Sequence, residues 1–260
     1  MTSQAVFVRD GDRFLATELA LGPWAPGALH GGAPAALLLN AFAAASPSPA
    51  LVPARITYEF VRPVPVGPLG VRIEVVRPGR RVTLLDGFLT DPEGIEVARA
   101  RALLLVPSEL DAGTATPPPF PGPEAGQVND WTDERPMFAT HAMEIRFVEG
   151  VFREPGPATA WFRLRHPLIA GEPMAPLELV AAAGDFGNGI ASELSWSEHM
   201  FINPDLTLYI ERAPAGEWLA VQSQMRVTQG SVAMAESVLW DERGRIGRAI
   251  QALLVGPRAT

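Results

Sequence analysis

The feature that most constrains this chain is that it repeats itself. RITYEFVRPVPVG (55 to 67) is echoed by DLTLYIERAPAG (205 to 216), and DPEGIEVARARALLLVP (91 to 107) by DERGRIGRAIQALLVGP (241 to 257). Most of the matched pairs share one offset of 150 positions: Asp91 matches Asp241, Gly94 matches Gly244, Leu103 and Leu104 match Leu253 and Leu254, and Pro107 matches Pro257. A fixed offset held without insertion over the second segment points to an internal duplication of a domain-sized unit of roughly 110 to 130 residues. Between the copies runs SELDAGTATPPPFPGPEAGQVNDW (108 to 131), rich in Pro and Gly and without period, which reads as a connector. The expected organisation is one unit over 1–107, a linker over 108–135 and a second unit over 136–260.

Each copy orders its elements alike. A helix rich in Ala and Leu comes first, GGAPAALLLNAFAAA after His30 and PLELVAAAGDF in the second half. Strands follow: Ile56, Tyr58 and Phe60 alternate with Thr57, Glu59 and Val61, and Leu206, Leu208 and Ile210 repeat the phase. Leu69, Val71, Ile73 and Val75 continue the first copy, and Leu219, Val221 and Met225 the second. VTLLDGFLT then pairs with VAMAESVLW, and turns at DPEG and DERG close hairpins onto the last strands. One helix followed by an antiparallel meander is α+β. Helices apolar on every side must be buried, which a sheet curled around them would achieve.

Composition narrows the setting. With 47% apolar and 19% charged residues in 260, the chain can bury a large core. A net charge of -8 gives no basic stripe for nucleic acid or an anionic membrane surface. Cys is absent, which excludes disulfides and thiolate chemistry, and His141, His166 and His199 have no metal-ligand spacing. MTSQAVFVRDGDRF has no apolar leader core, and AALLLNAFAAA (35 to 45) is too short to span a bilayer, so no membrane insertion and a cytoplasmic location are expected.

With His30-Gly31-Gly32 opening a buried helix, EFVRPVPVG and a meander of this length, the sequence resembles the hotdog fold of acyl-CoA thioesterases. The duplication, with Asp185 in the second helix, NPDLTLYIER at 203 to 212 and Gln251 in the last strand, resembles the double-hotdog type II members. That resemblance implies two tandem helix-plus-meander units sharing one continuous sheet. It also implies an acyl-CoA substrate, no cofactor beyond the coenzyme A of the substrate itself, and paired sheets, with a homodimer among the expected assemblies. It further implies an attacking water held by an Asp of the second helix, a polar residue before the first long strand and a Gln of the last strand. These fall on Asp185, Asn203 and Gln251; Asn203 departs from the Thr of better-known members.

The chemistry is coherent with that assignment. Thioester hydrolysis needs a water activated by a base and donors for the oxyanion, and neither metal nor covalent nucleophile. A carboxylate among Ala and Gly is poorly solvated and takes a proton from water more readily. The amides of Gly31 and Gly32 at a helix start offer N–H groups and a favourable dipole. Each residue also has a plainer reading. Asp185 could bond backbone amides in the turn GDFGNG, Gln251 could be a satisfied core amide, Asn203 before Pro204 could shape a turn, and His30 fits a brace for the glycine turn better than a base. Glu178 in the first turn of its helix reads as compensation of the helix dipole.

At the 150 offset Gln251 matches Arg101 and Asn203 matches Pro53, so the first half lacks both amides and one active site, in the second half, is expected. Arg62, Arg80, Arg81 and Arg101 are candidate contacts for coenzyme A phosphates. A hotdog hydratase would place a His one turn after the Asp, where Gly189 and Ile190 stand. No G-x-S-x-G occurs, and GDFGNG lacks the dinucleotide spacing. The remaining alternative is a non-catalytic acyl-CoA or lipid-binding protein.

Overall fold

A computed structural model describes residues 4–107, 115–129, 131, 133–230 and 232–258. In chain order the elements are β1 (Phe7–Asp10), β2 (Arg13–Ala16), α1 (Gly32–Ala44), β3 (Val52–Phe60), β4 (Gly67–Arg77), β5 (Val82–Thr90), β6 (Glu96–Leu105), β7 (Gln127–Val128), β8 (Met143–Glu149), β9 (Ala158–Leu164), α2 (Pro176–Gly184), α3 (Gly187–Ile190), β10 (His199–Ile202), β11 (Asp205–Ile210), β12 (Leu219–Arg226), β13 (Ala233–Asp241) and β14 (Gly244–Pro257). The strands join in one antiparallel sheet in the order β1-β2-β4-β5-β6-β3-β11-β14-β13-β12-β9-β8-β7, with β10 paired to β14.

The order is a near mirror about β3 and β11. β4, β5, β6 and β3 lie on one side, β12, β13, β14 and β11 on the other. The joint runs from Asp205↔Glu59 to Tyr209↔Arg55, and it sets Thr207 opposite Thr57, its partner at the 150 offset. Alternation along these strands explains the layering. Ile56 and Tyr58, Leu206 and Leu208 are fully buried, while Glu59 and Tyr209 face out.

The two long helices fill the concave side. α1 packs on α2 and against β3, β4, β5 and β6, and α2 against β9, β11, β12 and β13. From Gly32 to Leu39 α1 is buried on every side, as its lack of a polar face demands. Gly32 makes the helix crossing possible: a Cβ there would stand 2.4 Å from the carbonyl oxygen of Ala182.

Two features depart from the sequence reading. Each half begins with a hairpin ahead of its helix, β1–β2 and β8–β9, and these extend the sheet at both ends. The first turns at Gly11 with φ 62, in the left-handed region that glycine adopts without steric cost. Of the expected linker 108–135, residues 108–114, 130 and 132 lie outside those described. The rest includes a one-turn helix at Pro123–Ala125 and β7, which pairs with β8. No helix among the described residues is long and apolar enough to cross a membrane.

Candidate active site

α2 ends where Asp185 begins. Asp185 is the C-cap, at φ -80 and ψ -6, and the chain then breaks into the short α3. A carboxylate there sits at the negative end of the helix dipole, so capping does not explain it. Nor does turn formation: among the described residues its side-chain contacts are side chains. Oδ1 accepts from Asn203 Nδ2 at 2.8 Å and from Gln251 Nε2 at 3.3 Å, and Oδ2 lies 3.1 Å from His30 Nδ1. The residue is 3% exposed.

These groups come from separate segments of the chain. Asn203 follows β10 at the turn into β11, and its amide nitrogen also donates to the carbonyl of Asp205 at 3.0 Å. Its Oδ1 has no partner among the described residues and is free to accept a proton of a water. Gln251 reaches in from β14, buried behind the carboxylate and outside the cavity lining; Nε2 also donates to the Asp185 carbonyl at 3.2 Å, and Oε1 accepts from the Asn188 amide at 3.3 Å. That last bond fixes which way the Gln251 amide points.

Beneath it lies a buried polar belt absent from the sequence reading: Ser237 Oγ donates to Ser223 Oγ at 2.9 Å, Ser223 Oγ to the Gly187 carbonyl at 3.0 Å, and Asn188 Nδ2 to the Phe201 carbonyl at 3.0 Å. The signal was available. Ser223 holds the inward phase between Val221 and Met225, and Ser237 that between Ala235 and Leu239, where a polar residue requires a partner.

The first half brings His30 and the two glycines across the helix pair. Gly31 lines the cavity and lies so near the carboxylate that a Cβ would be 2.8 Å from Asp185 Oδ2. Its N–H has no partner among the described residues. Gly32 differs: its N–H donates to His30 Nδ1 at 3.1 Å, so of the two amides expected to meet an oxyanion only that of Gly31 is open. The His30 ring is stacked on Phe186, with centroids 4.3 Å apart.

A cavity of about 300 Å³ opens from Asp185, Asn203, His30 and Gly31. Apart from these its walls are mostly aromatic and aliphatic, with Arg62 at the edge. Arg101 is elsewhere: its guanidinium bonds both carboxylate oxygens of Asp86, at 2.6 and 2.7 Å, on the outer face of the sheet and outside the cavity lining. Arg80 and Arg81 are exposed in the turn between β4 and β5 and do not line the cavity either. Glu178 is buried at the other end of α2, where Oε1 accepts from Asn40 Nδ2 at 2.8 Å and Oε2 from the Ala175 amide at 3.1 Å. Burial pushes its carboxyl above the usual range against the pull of those bonds. No group of three or more His, Asp or Glu among the described residues could hold a metal ion.

A family model described as the acyl-CoA thioesterase N-terminal domain matches residues 20–105, and one described as the acyl-CoA thioesterase C-terminal domain matches 114–255. No curated protein matches the sequence. Among solved structures, a protein described as a thioesterase of Novosphingobium aromaticivorans is 24% identical with a TM-score of 0.76, over 97% of this chain and 99% of its own. One described as a thioesterase II of Thermobifida fusca is 21% identical at the same TM-score, over 96% and 95%. A protein of Alicyclobacillus acidocaldarius described as having a hot dog fold is 18% identical with a TM-score of 0.73, over 98% and 96%. At these identities the likeness is one of fold.

Proposed function

The chain belongs to the acyl-CoA thioesterase family, and from that premise we propose that it hydrolyses an acyl-CoA thioester at Asp185, through two tandem hotdog units that share one sheet and one active site. The observation that carries the reading is a buried carboxylate, held by two neutral amides, that lines an apolar cavity beside Gly31, whose backbone N–H has no partner among the described residues.

The steps follow from these atoms. The thioester carbonyl lies over Gly31, where the absence of a Cβ leaves room, and its oxygen meets the Gly31 N–H. A water between the carbonyl carbon and Asp185 Oδ2 attacks; Asn203 Oδ1 accepts one of its protons as a hydrogen bond, and Asp185 takes the other. The tetrahedral intermediate collapses with cleavage of the C–S bond, and the proton on Asp185 goes to the departing sulfur. The products are a carboxylic acid and coenzyme A. Gln251, which does not reach the cavity, acts by holding the carboxylate in place. Arg62 at the cavity edge makes no ion pair among the described residues and suits an anionic part of coenzyme A. Arg101, bound to Asp86, has no part in this reading.

Asp185→Asn tests it. The amide oxygen can still accept from Asn203 and Gln251 and the side-chain volume is kept, so the melting temperature should stay near that of the parent. Hydrolysis of acyl-CoA, followed by release of free thiol, should fall by about 100-fold or more. Undiminished hydrolysis would move the base elsewhere. Tight binding of acyl-CoA with no turnover in the unmodified chain would instead establish a binding protein.

A further inference from the structure

Resting on the proposed hydrolysis, we infer that the acyl group taken by this cavity carries an aromatic ring: the substrate class is an aryl or arylalkanoyl thioester and not a long saturated chain.

One wall of the cavity is a continuous run of four rings from four separate segments. Trp131 stacks on Phe152 with centroids 4.8 Å apart and planes 16° apart, Phe152 meets Trp196 at 5.6 Å, and Trp196 stacks on Trp24 at 5.0 Å and 6°. Phe201 braces the far end edge-on, 4.7 Å from Trp196 and 5.1 Å from Trp24. All four wall rings are only half buried and line the cavity. Opposite, Phe186 stacked on His30 gives the cavity a second ring surface beside the carboxylate.

The wall is maintained at a cost. Arg153 is the one non-glycine residue among those described with positive φ, 69°, a conformation that costs an ordinary side chain about 1–2 kcal/mol. Its guanidinium lies over Trp131 at 5.1 Å and over Phe152 at 5.5 Å, closing the outer face of the wall. A methylene chain gains from such a wall only by area. A planar ring gains in addition the offset or edge-to-face geometry of aromatic pairs, about 0.5–1.5 kcal/mol for each.

Volume points the same way. A cavity of about 150 Å³ accepts benzene. One of about 300 Å³ therefore has room for a ring, a short linker and the thioester carbon, or roughly a dozen carbons in all. A sixteen-carbon chain would extend beyond it through the open mouth.

The experiment uses the whole chain and two readouts. Specific activities toward benzoyl-, phenylacetyl-, decanoyl- and palmitoyl-CoA are compared, and the non-hydrolysable thioethers S-(2-phenylethyl)-coenzyme A and S-decyl-coenzyme A are titrated calorimetrically. Expected are a preference of about tenfold for the ring-bearing member in both, and a fall of that ratio to near unity in Trp196→Leu and in Phe152→Leu. Equal or tighter binding of the decyl thioether by the unmodified chain, or equal or faster cleavage of decanoyl-CoA, overturns the inference. So does a ratio unchanged in both folded variants. If no thioester is cleaved but the phenylethyl thioether is still preferred, hydrolysis is the part that fails and selection of a ring stands.

Discussion

Two adjacent glycines of the same motif have different tasks at the scale of single residues. Gly31 has φ -57 and ψ -27, which any residue can adopt, so what excludes a side chain is the Asp185 carboxylate 2.8 Å from where a Cβ would be. That carboxylate is tied to Asn203 and Gln251 and cannot yield cheaply. Gly31→Ala should therefore displace Asp185 and lower turnover by at least about tenfold, with a modest change in melting temperature. Gly32→Ala drives its methyl into the Ala182 carbonyl at 2.4 Å and should destabilise the chain by about 1–3 kcal/mol through the helix crossing. Thermal melts and initial rates on both variants check the division; equal loss of activity at equal stability would refute it. The sequence marked both glycines as one unit because both open a helix, and only the crossing with α2 separates them.

Among elements, the duplicated hairpins show how one sequence pattern serves two ends. In the second half Arg212 grips Asp241 with two bonds of 2.6 Å, and Asp241, fully buried, also accepts from the amides of Ala215, Arg243 and Gly244. Burial works against its charge, but the guanidinium and the amides together hold its carboxyl below the usual range. In the first half the matching Asp91 accepts from the Ile95 amide, and the matching Arg62 is left at the cavity edge. A depressed carboxyl contributes stability that is present above its unfolded value, about 3.9, and is lost as pH falls through its folded value. Acid melts should accordingly be shallower below about pH 4 in Asp241→Asn than in the parent. At neutral pH the variant should be less stable by about 3 kcal/mol, because Arg212 is left without its partner. Parallel acid limbs in the two melting curves would contradict this. The strand phases were legible from alternation, as Ile56 with Tyr58 and Leu206 with Leu208 attest. Val75 shows the limit: it shares the phase of Leu69, yet it is 52% exposed near the end of β4. The β1–β2 hairpin was readable in the Asp10-Gly11 turn, but its counterpart β8–β9 does not repeat its sequence at the 150 offset.

For the whole molecule, we read the two halves as two scaffolds with one reaction centre, because each half has different parts. α1 carries no carboxylate, β6 presents Arg101 where β14 presents Gln251, and β3 has Pro53 at the position of Asn203. In return the first half supplies His30 and Gly31 against Asp185 across the packed helices, a pairing that periodicity cannot reveal because it depends on how α1 crosses α2. Such an arrangement has a stoichiometric consequence: calorimetric titration with S-decyl-coenzyme A should give one site per chain, whereas two equivalent units would give two. The same asymmetry separates a matched pair of variants. Gln251→Leu removes one of the two donors to Asp185 Oδ1 and leaves the Asn188 amide unanswered, so turnover should fall by about tenfold or more with one binding site retained. Arg101→Leu exchanges an outward ion pair with Asp86 for an apolar group, so turnover should stay within about twofold, since exposed pairs contribute about 1 kcal/mol or less. A second site in the titration, or equal loss of turnover in the two variants, would mean that the first half has a reaction centre of its own.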